Sequence, residues 1–488
     1  MTRRVRGYPR APVTSPLSSN STDTEAARPG LLRTIGEALR GSSVDYTTAP
    51  VGRAVVMLAV PMVLEMAMES IFAVADVFWV AHLGADAVAT VGLTESMLTV
   101  IYTAAMGLSI GATALVARRT GEQDPEGAAR AAGQSILLGL VVAVGIAALA
   151  APNAARLLRV MGASDSVVAS GLGFTTVMLG GNATVLLLFM LNAVFRGAGD
   201  AAIAMRVLWL GNILNIVLGP CFIFGLGPFP QLGVTGAAVA TNIGRGTAVI
   251  CQLVVLLRGS GRVHLAARHL RLDFSLMRSV LRLSGSGTIQ ILIGTASYIG
   301  LVRILSAFGS PALAGYTIGM RVILFALLPA FGVSNAAATM VGQNLGAGHP
   351  ERAERAVWKA AQYNMIFLGG TGVVFFFGAR LIAGLFTTDP AVQPYAVSCL
   401  RIVSLGFVFY AYGMVLTQAF NGAGDTWTPT VINLLVFWVW EIPLAWWLSA
   451  HAGLGPRGVF MALTIAYSTL AVVSAVIFRR GAWKRSSV

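Results

Sequence analysis

Residues 195–200 read FRGAGD and residues 420–425 read FNGAGD, so one six-letter stretch is written twice at an offset of 225 positions. Three further sets of residues recur at the same offset. They are Gly84, Ala87 and Ala89 with Gly309, Ala312 and Ala314; Gly121, Pro125 and Glu126 with Gly346, Pro350 and Glu351; and Gly233, Val234 and Ala237 with Gly458, Val459 and Ala462. Separate matches in one register predict an internal duplication. Each copy is about half of the protein, far longer than the tens of residues of a solenoid repeat.

The composition indicates that most of the chain is surrounded by lipid. The 488 residues are 56% hydrophobic and only 11% charged, with a mean hydropathy of +0.76. Soluble domains carry about 25% charged residues, so this chain cannot cover its surface with groups that water solvates. Apolar runs of about 20 residues cross a bilayer as helices, whereas a β-barrel would show short alternating segments. The sequence therefore predicts an all-α polytopic membrane protein.

Twelve apolar stretches are long enough to cross a membrane, six in each copy of the repeat. They lie near residues 54–81, 88–113, 132–151, 167–194, 202–226, 233–257, 279–305, 312–340, 358–378, 392–418, 429–450 and 457–478. Because an even number of spans returns the chain to its starting side, the two six-helix repeats are parallel. We expect an N-terminal lobe over 53–258, a cytoplasmic linker over 259–278 and a C-terminal lobe over 279–478. We expect residues 1–52 to form a disordered cytoplasmic tail and residues 479–488 a short cytoplasmic tail.

The distribution of arginine and lysine predicts the orientation in the membrane. The two termini and the loops that follow even-numbered spans carry 26 of these residues, and the opposite loops carry four. This bias places both termini in the cytoplasm. The net charge of +14 is then mainly a topology signal, with some attraction to anionic lipid. Nucleic-acid binding is not expected, because the charge is divided among separate loops.

The sequence lacks the motifs of an enzyme or of a bound cofactor. It contains no G-x-x-x-x-G-K phosphate-binding loop and no HExxH motif. Its three cysteines have no paired spacing, which argues against a disulfide framework or a metal site. We expect no enzyme activity and no cofactor. Any work that the protein does must then draw on an ion gradient or on a partner. In the repeated loops, we expect Asp200 and Asp425 to cap the helices that follow them.

The first span carries three acidic residues, Glu65, Glu69 and Asp76, inside the predicted hydrocarbon core. Around a helix, Glu69 lies about 40° and Asp76 about 20° from Glu65, so all three share one stripe. An ionised group at the bilayer centre costs about 2.5–3.5 kcal/mol, so we expect the stripe to line an interior cavity. Crowded carboxylates repel one another as anions, which favours a proton or cation site. A hydrogen-bonded structural cluster is the alternative.

Span five carries a second polar face, made by Asn212, Asn215 and Gly219, and span six adds Thr241 and Asn242. Asparagines inside a membrane either join helices by hydrogen bonds or bind an ion through their carbonyl oxygens. The sequence leaves both interpretations open for span five.

The second half keeps the scaffold but loses the acidic stripe. At the repeat offset, Glu65, Glu69 and Asp76 become Gln290, Gly294 and Leu301. The second half has its own acid, Glu441, with Arg321 and Arg401 as candidate partners. Methionine side chains pack adaptably around varied shapes, and aromatic faces attract cations, so both residue types suit a cavity for flat apolar cations. We expect a substrate cavity that includes Met66, Asn212, Gln290, Arg321, Tyr410 and Glu441.

Five motifs together resemble the multidrug and toxic compound extrusion (MATE) family. They are D-x-x-W-V-A-x-L-G from Asp76, FRGAGD, FNGAGD, VGQNLGAG from Val341 and GVTGAAVAT from Gly233. The likeness is closest to the DinF-like bacterial branch and covers nearly the whole chain after the N-terminal tail. The resemblance implies a V-shaped pair of six-helix lobes and antiport of organic cations or drugs against protons or sodium. A monomer is expected.

The resemblance also implies roles for individual residues. Asp76 matches the aspartate of the coupling site late in span one, Asn215 an asparagine in span five and Thr241 a threonine in span six. A sodium ion at Asp76 and Asn215 is one possibility. However, Gly219 stands where a second carboxylate is expected. The missing acid weakens a sodium site, and Glu69 on the same stripe offers a replacement charge. We therefore expect proton coupling rather than sodium coupling.

One alternative has related architecture. A flippase for lipid-linked precursors would need an arginine-rich cavity to hold pyrophosphate, and the acidic stripe argues against it.

Overall fold

The protein is almost entirely helical in a computed structural model that describes residues 30–41 and 44–486. Its helices, numbered in chain order, are α1 (Leu31–Arg40), α2 (Val51–Ala81), α3 (Ala85–Gly121), α4 (Pro125–Ala150), α5 (Ala154–Val160), α6 (Asp165–Gly180), α7 (Ala183–Ala198), α8 (Ala201–Phe224), α9 (Val234–Arg258), α10 (Phe274–Ser306), α11 (Ser310–Gly346), α12 (Pro350–Phe386), α13 (Gln393–Ser404), α14 (Phe407–Ala423), α15 (Trp427–Asn433), α16 (Ile442–Trp446) and α17 (Pro456–Arg479). Within these described residues, eleven helical segments are long and apolar enough to cross a membrane, and the bent pair α13 and α14 makes a twelfth. The predictions of an all-helical membrane fold and of twelve spans are confirmed.

Spans four and ten break at equivalent positions of the two copies. α6 gives way to α7 around Gly181, and α13 gives way to α14 at Gly406, 225 positions later. The helix axis of span ten bends by 59° between α13 and α14. A Cβ at Gly181 would collide with the side chain of Asn242, so glycine is required where span six packs against the break.

Span eleven is wound irregularly. Between α15 and α16 the segment Leu434–Glu441 is π-helical, and a second π-helical segment, Trp447–His451, follows α16. A π turn inserts one more residue per hydrogen-bonded ring and so rotates the side chains that follow it around the helix axis. Glu441 is the last residue of the first π segment, so its direction depends on this local winding.

The two halves meet through equivalent glycines at the ends of α3 and α11. A Cβ at Gly121 would lie 2.6 Å from the carbonyl carbon of Gln343. A Cβ at Gly346 would lie 2.9 Å from the backbone nitrogen of Glu122 and would collide with the carbonyl of Arg118. Each copy thus presents the same glycine to the other, as expected around a pseudo-twofold axis. Only residues without a Cβ allow this backbone contact.

The tail preceding the first span is partly ordered. α1 buries Thr34 and Ala38, which are 5% and 2% exposed, and Glu37 accepts from Arg53 of α2 at 2.5 Å. The prediction of a disordered tail over 1–52 is therefore wrong for residues 30–41 and 44–52, whereas residues 1–29 lie outside the described part. LLRTIGEALR has apolar residues at helical spacing, and burial of that face against α2 stabilises a short helix that composition alone did not indicate.

Two other predicted features differ from the structure. α10 begins at Phe274, inside the linker predicted over 259–278, because Asp273 accepts from the backbone nitrogens of Ser275 and Leu276 at 3.1 Å. In the repeated loops, Asp425 caps as expected by accepting from the Thr428 nitrogen at 3.2 Å. The expected cap by Asp200 is wrong, because its carboxylate accepts instead from the backbone nitrogen of Arg262 at 2.6 Å.

The glycine contact generates a stability prediction. We expect Gly121→Ala to lower the apparent melting temperature of the detergent-purified protein, because overpacking costs about 1–3 kcal/mol. Gly145→Ala in α4 is the control, since a Cβ there meets no atom within 4 Å, and it should leave the melting temperature unchanged or slightly higher. Equal melting of Gly121→Ala and the wild type would contradict the close contact.

Candidate functional site

The acidic stripe of α2 is divided between different partners. Glu65 is 1% exposed and accepts from Asn192 at 3.0 Å and from Arg196 at 3.4 Å, both in α7. The prediction that Glu65 lines a cavity is therefore wrong, because α7 packs onto this end of the stripe and supplies a counter-charge. At Glu65, the structural interpretation of the cluster is the one that the geometry supports.

The partner of Glu65 lies at the position where the two repeated loops differ. Arg196 is the arginine of FRGAGD, and its equivalent in FNGAGD is Asn421. At the same offset, Glu65 is equivalent to Gln290. The acid and the base of the first half are therefore both replaced by neutral amides in the second half. In the second half, Asn421 donates to Gln418 at 2.9 Å.

Glu69 lies farther along the stripe of α2, where it meets an asparagine of α8. Glu69 is half-buried and accepts from the Asn212 amide at 3.2 Å. The Asn215 amide donates to the Thr241 hydroxyl at 2.8 Å, and that hydroxyl donates to the Ala237 carbonyl at 2.9 Å. The structure thus brings together Asn215 and Thr241, two of the three residues that the resemblance assigns to the coupling site.

Asp76 stands apart from that pair. It is half-buried and forms no hydrogen bond within residues 30–41 and 44–486. Its charge interacts with the charges of Glu95 in α3 and Arg245 in α9. Gly219, where a second carboxylate was expected, faces the indole of Trp79, whose Cδ1 would be 3.7 Å from an added Cβ. The predicted set of Asp76, Asn215 and Thr241 is therefore not joined in this conformation.

Arg245 and Glu95 belong to this site but were missed by the sequence analysis. The Arg245 guanidinium is buried, donates to the Tyr102 hydroxyl at 3.1 Å and lies 5.5 Å from the centre of the Phe72 ring. Its charge interacts with those of Glu69 and Asp76. A signal was present, because an arginine in the middle of span six is as costly in lipid as the acids of span one.

The two lobes face each other through Glu95 and Arg321. Both side chains are exposed, and the charge of Arg321 in α11 attracts that of Glu95 in α3. Arg321, a predicted cavity residue, therefore lies at the surface between the lobes. Met66, another predicted cavity residue, is half-buried on α2.

The remaining predicted cavity residues are enclosed. Glu441, Tyr410 and Gln290 are 0%, 3% and 6% exposed, and Asn212 is 2% exposed. Ser297 donates to Glu441 at 3.3 Å, and the Tyr410 and Tyr467 rings lie 4.4 Å apart. The prediction that these residues line an open cavity is wrong for this conformation. The π-helical winding turns Glu441 towards α10, and the aromatic rings of the C-terminal lobe pack around Tyr410.

Arg401, a candidate partner of Glu441, bonds elsewhere: its Nε donates to the carbonyl of Phe376 at 3.2 Å. Among the described residues, no group of three or more histidine, cysteine or acidic side chains is placed to hold a metal ion.

Comparisons with known proteins agree on one family. The sequence model of the MatE family matches residues 61–221 and 288–447, one match in each half. The chain is 26% identical over 435 residues to a probable multidrug resistance protein NorM of Thermotoga maritima, covering 89% of this chain and 93% of that protein. It is 25% identical over 426 residues to an FAD transporter of Shewanella oneidensis, covering 86% of this chain and 92% of that protein.

Solved structures show the same architecture. A crystal structure of MATE in the bent conformation superposes with a TM-score of 0.83 at 27% identity, covering 93% of this chain and 98% of that one. An outward-facing multidrug resistance MATE family transporter gives the same score and identity, covering 92% of this chain and 98% of that one. The predicted two-lobe fold is confirmed.

The Glu65–Arg196 pair generates a prediction about stability. Glu65→Gln should lower the apparent melting temperature strongly, because an unpaired buried charge costs about 3–5 kcal/mol. Glu65→Gln with Arg196→Asn removes both charges, introduces the amides that occupy the equivalent positions 290 and 421 of the second half, and should recover part of the loss. Glu351→Gln, which removes an exposed partner of Lys484, is the control and should change little. A double variant no more stable than Glu65→Gln would show that the pair is not the cause.

Proposed function

The chain belongs to the MatE family of membrane transporters, and on that premise we propose that it exports drugs and other organic cations by cation-coupled antiport. The coupling ion that we propose is the proton rather than sodium. The observation that carries the proposal is Asp76, a half-buried carboxylate with no hydrogen bond in the described residues, whose neighbouring charges are Glu95 and Arg245. Such a group is free to exchange a proton for a cation.

The orientation that we propose places both termini in the cytoplasm of a bacterial cell. The 26 arginines and lysines on one side support it. In this orientation the contact between Gly121 and Gly346 lies at the cytoplasmic end of the lobes, because it adjoins arginine-rich loops. Asp76 lies near the opposite end of α2, on the external side. The lobes over 53–258 and 279–478 would rock about the cytoplasmic contact to give alternating access.

Energy for export comes from the membrane potential and the ion gradient. One charge that moves down 100 mV releases about 2.3 kcal/mol, enough for a concentration gradient of a few tens-fold. A proton that reaches the acidic tract from outside would neutralise one carboxylate and weaken its hold on a bound organic cation. Glu69, through its hydrogen bond to Asn212, would carry that change to α8. We propose that the protein works as a monomer, without a cofactor.

The charges between the lobes support a cationic substrate. Three carboxylates, those of Glu69, Asp76 and Glu95, interact with two guanidiniums, those of Arg245 and Arg321. When all five groups are ionised, their net charge is negative by one unit. A pyrophosphate-binding flippase would need the opposite balance and is not favoured.

Replacement of Asp76 tests the proposal. Asp76→Asn should reduce drug resistance to the level of cells without the transporter, while the protein remains in the membrane, because the amide cannot take up a proton. Asp86→Asn, an exposed aspartate at the start of α3, is the matched control and should retain resistance. Resistance measurements should be joined by uptake into proteoliposomes under separate pH and sodium gradients, with ethidium as the cationic probe and FAD as the anionic one.

Three outcomes would overturn parts of the proposal. Wild-type resistance in Asp76→Asn would remove Asp76 from the coupling site. Transport driven only by sodium would overturn proton coupling. Movement of FAD without ethidium would overturn the cationic substrate class.

A further inference from the structure

Arg245 is an arginine in the middle of a membrane span that no acid pairs with directly. It lies halfway along α9 and is 7% exposed. Within residues 30–41 and 44–486, no carboxylate oxygen lies within 4.0 Å of its guanidinium. A charge with so little access to water is costly unless the protein compensates it. The compensation comes from two aromatic rings that contact the guanidinium and from the charges of three carboxylates.

The aromatic rings hold the guanidinium in place. Its carbon lies 5.5 Å from the Phe72 ring centre and 5.8 Å from the Tyr102 ring centre, and Nη1 donates to the Tyr102 hydroxyl at 3.1 Å. Arginine binds aromatic faces by its planar, weakly hydrated cation. These contacts leave most of the guanidinium N–H groups available to an anionic partner.

The three acids lie on the two helices, α2 and α3, whose aromatic side chains contact Arg245. Phe72 lies three residues after Glu69 and four before Asp76, so it is on the same face of α2 between the two acids. Glu95 lies seven residues before Tyr102, on one face of α3. The charge of Arg245 interacts with all three acids. A long side chain anchored on Phe72 therefore has a carboxylate one turn away in either direction.

We infer that Arg245 is a tethered cation that takes the place of a sodium ion in the N-terminal lobe. When Glu69 or Asp76 is neutralised by a proton, the guanidinium pairs with the other. When the proton leaves, the guanidinium is shared again. The inference rests on the proposed function, since it explains how proton binding at one carboxylate changes the site without a metal ion.

The other residues suggested for a sodium site fit this inference. The Asn215 amide donates to Thr241 and is joined to Asp76 by no hydrogen bond in the described part of the chain. Gly219 contributes no oxygen and faces Trp79. A sodium ion near Asp76 would also meet the positive charge of Arg245. The charged and titratable groups that face Arg245 are Glu69 and Asp76 from α2 and Glu95 and Tyr102 from α3; Arg321 of α11 adjoins Glu95.

The test compares full-length wild type with Arg245→Lys and Arg245→Met. Lysine keeps a tethered cation, whereas methionine keeps an unbranched side chain without charge. Saturable binding of radioactive sodium to purified protein is measured first, because it does not depend on transport. Ethidium uptake into proteoliposomes is then measured under a pH gradient and under a sodium gradient, applied separately.

We expect the wild type to bind no sodium saturably and to ignore the sodium gradient. Arg245→Met should lose about 5–150-fold of its pH-driven uptake, the usual size of one coupling interaction, and should gain saturable sodium binding. Arg245→Lys should resemble the wild type in sodium binding and retain more uptake than Arg245→Met.

Saturable sodium binding by the wild type would overturn the inference, and this result needs no variant to fold. So would full pH-driven uptake by Arg245→Met, or a loss of its uptake without any gain of sodium binding. If the wild type moves no ethidium under either gradient, the proposed function fails, but the sodium-binding comparison still decides the role of Arg245.

Discussion

Lipid cannot solvate a charge, and the arrangement of this protein depends on that constraint. An ionised side chain in the bilayer costs about 2.5–3.5 kcal/mol unless the protein supplies partners. The first half contains several such groups, and each is compensated differently. Glu65 is bonded to Arg196 and Asn192, Glu69 to Asn212, and Arg245 lies against Phe72. Whether a charge is locked or exchangeable follows from how closely its partner approaches.

The duplicated chain shows that the scaffold and the charges are separable. Gly121 and Gly346 make the same close contact from opposite sides, and spans four and ten break at equivalent glycines. Glu65 and Arg196, by contrast, have the neutral equivalents Gln290 and Asn421. A buried acid without its base is costly, so the two positions change together.

One helix face can therefore serve two purposes. Glu65 and Asp76 share a stripe of α2, yet the first is enclosed by α7 and the second remains half-buried without a hydrogen bond in the described residues. The same principle applies to the C-terminal lobe, where Glu441 is enclosed and bonded to Ser297. Burial without a fixed counter-charge keeps a group able to change its state, whereas a fixed ion pair stabilises one structure.

The sequence by itself determined the helical class, the twelve spans and the duplication, because these follow from hydrophobic run length and from residues repeated in register. Helical spacing placed Glu65, Glu69 and Asp76 on one stripe, and the family resemblance assigned Asp76, Asn215 and Thr241 to one predicted coupling site. Only the tertiary structure decided that Arg196 neutralises Glu65, that Asp200 bonds Arg262 rather than capping α8, and that the charge of Arg245 neighbours that of Asp76. Helical periodicity defines the direction of a side chain around its own axis. The partner that it meets depends on which helices pack there, and the residues of these three pairs lie 62 to 169 positions apart in the chain.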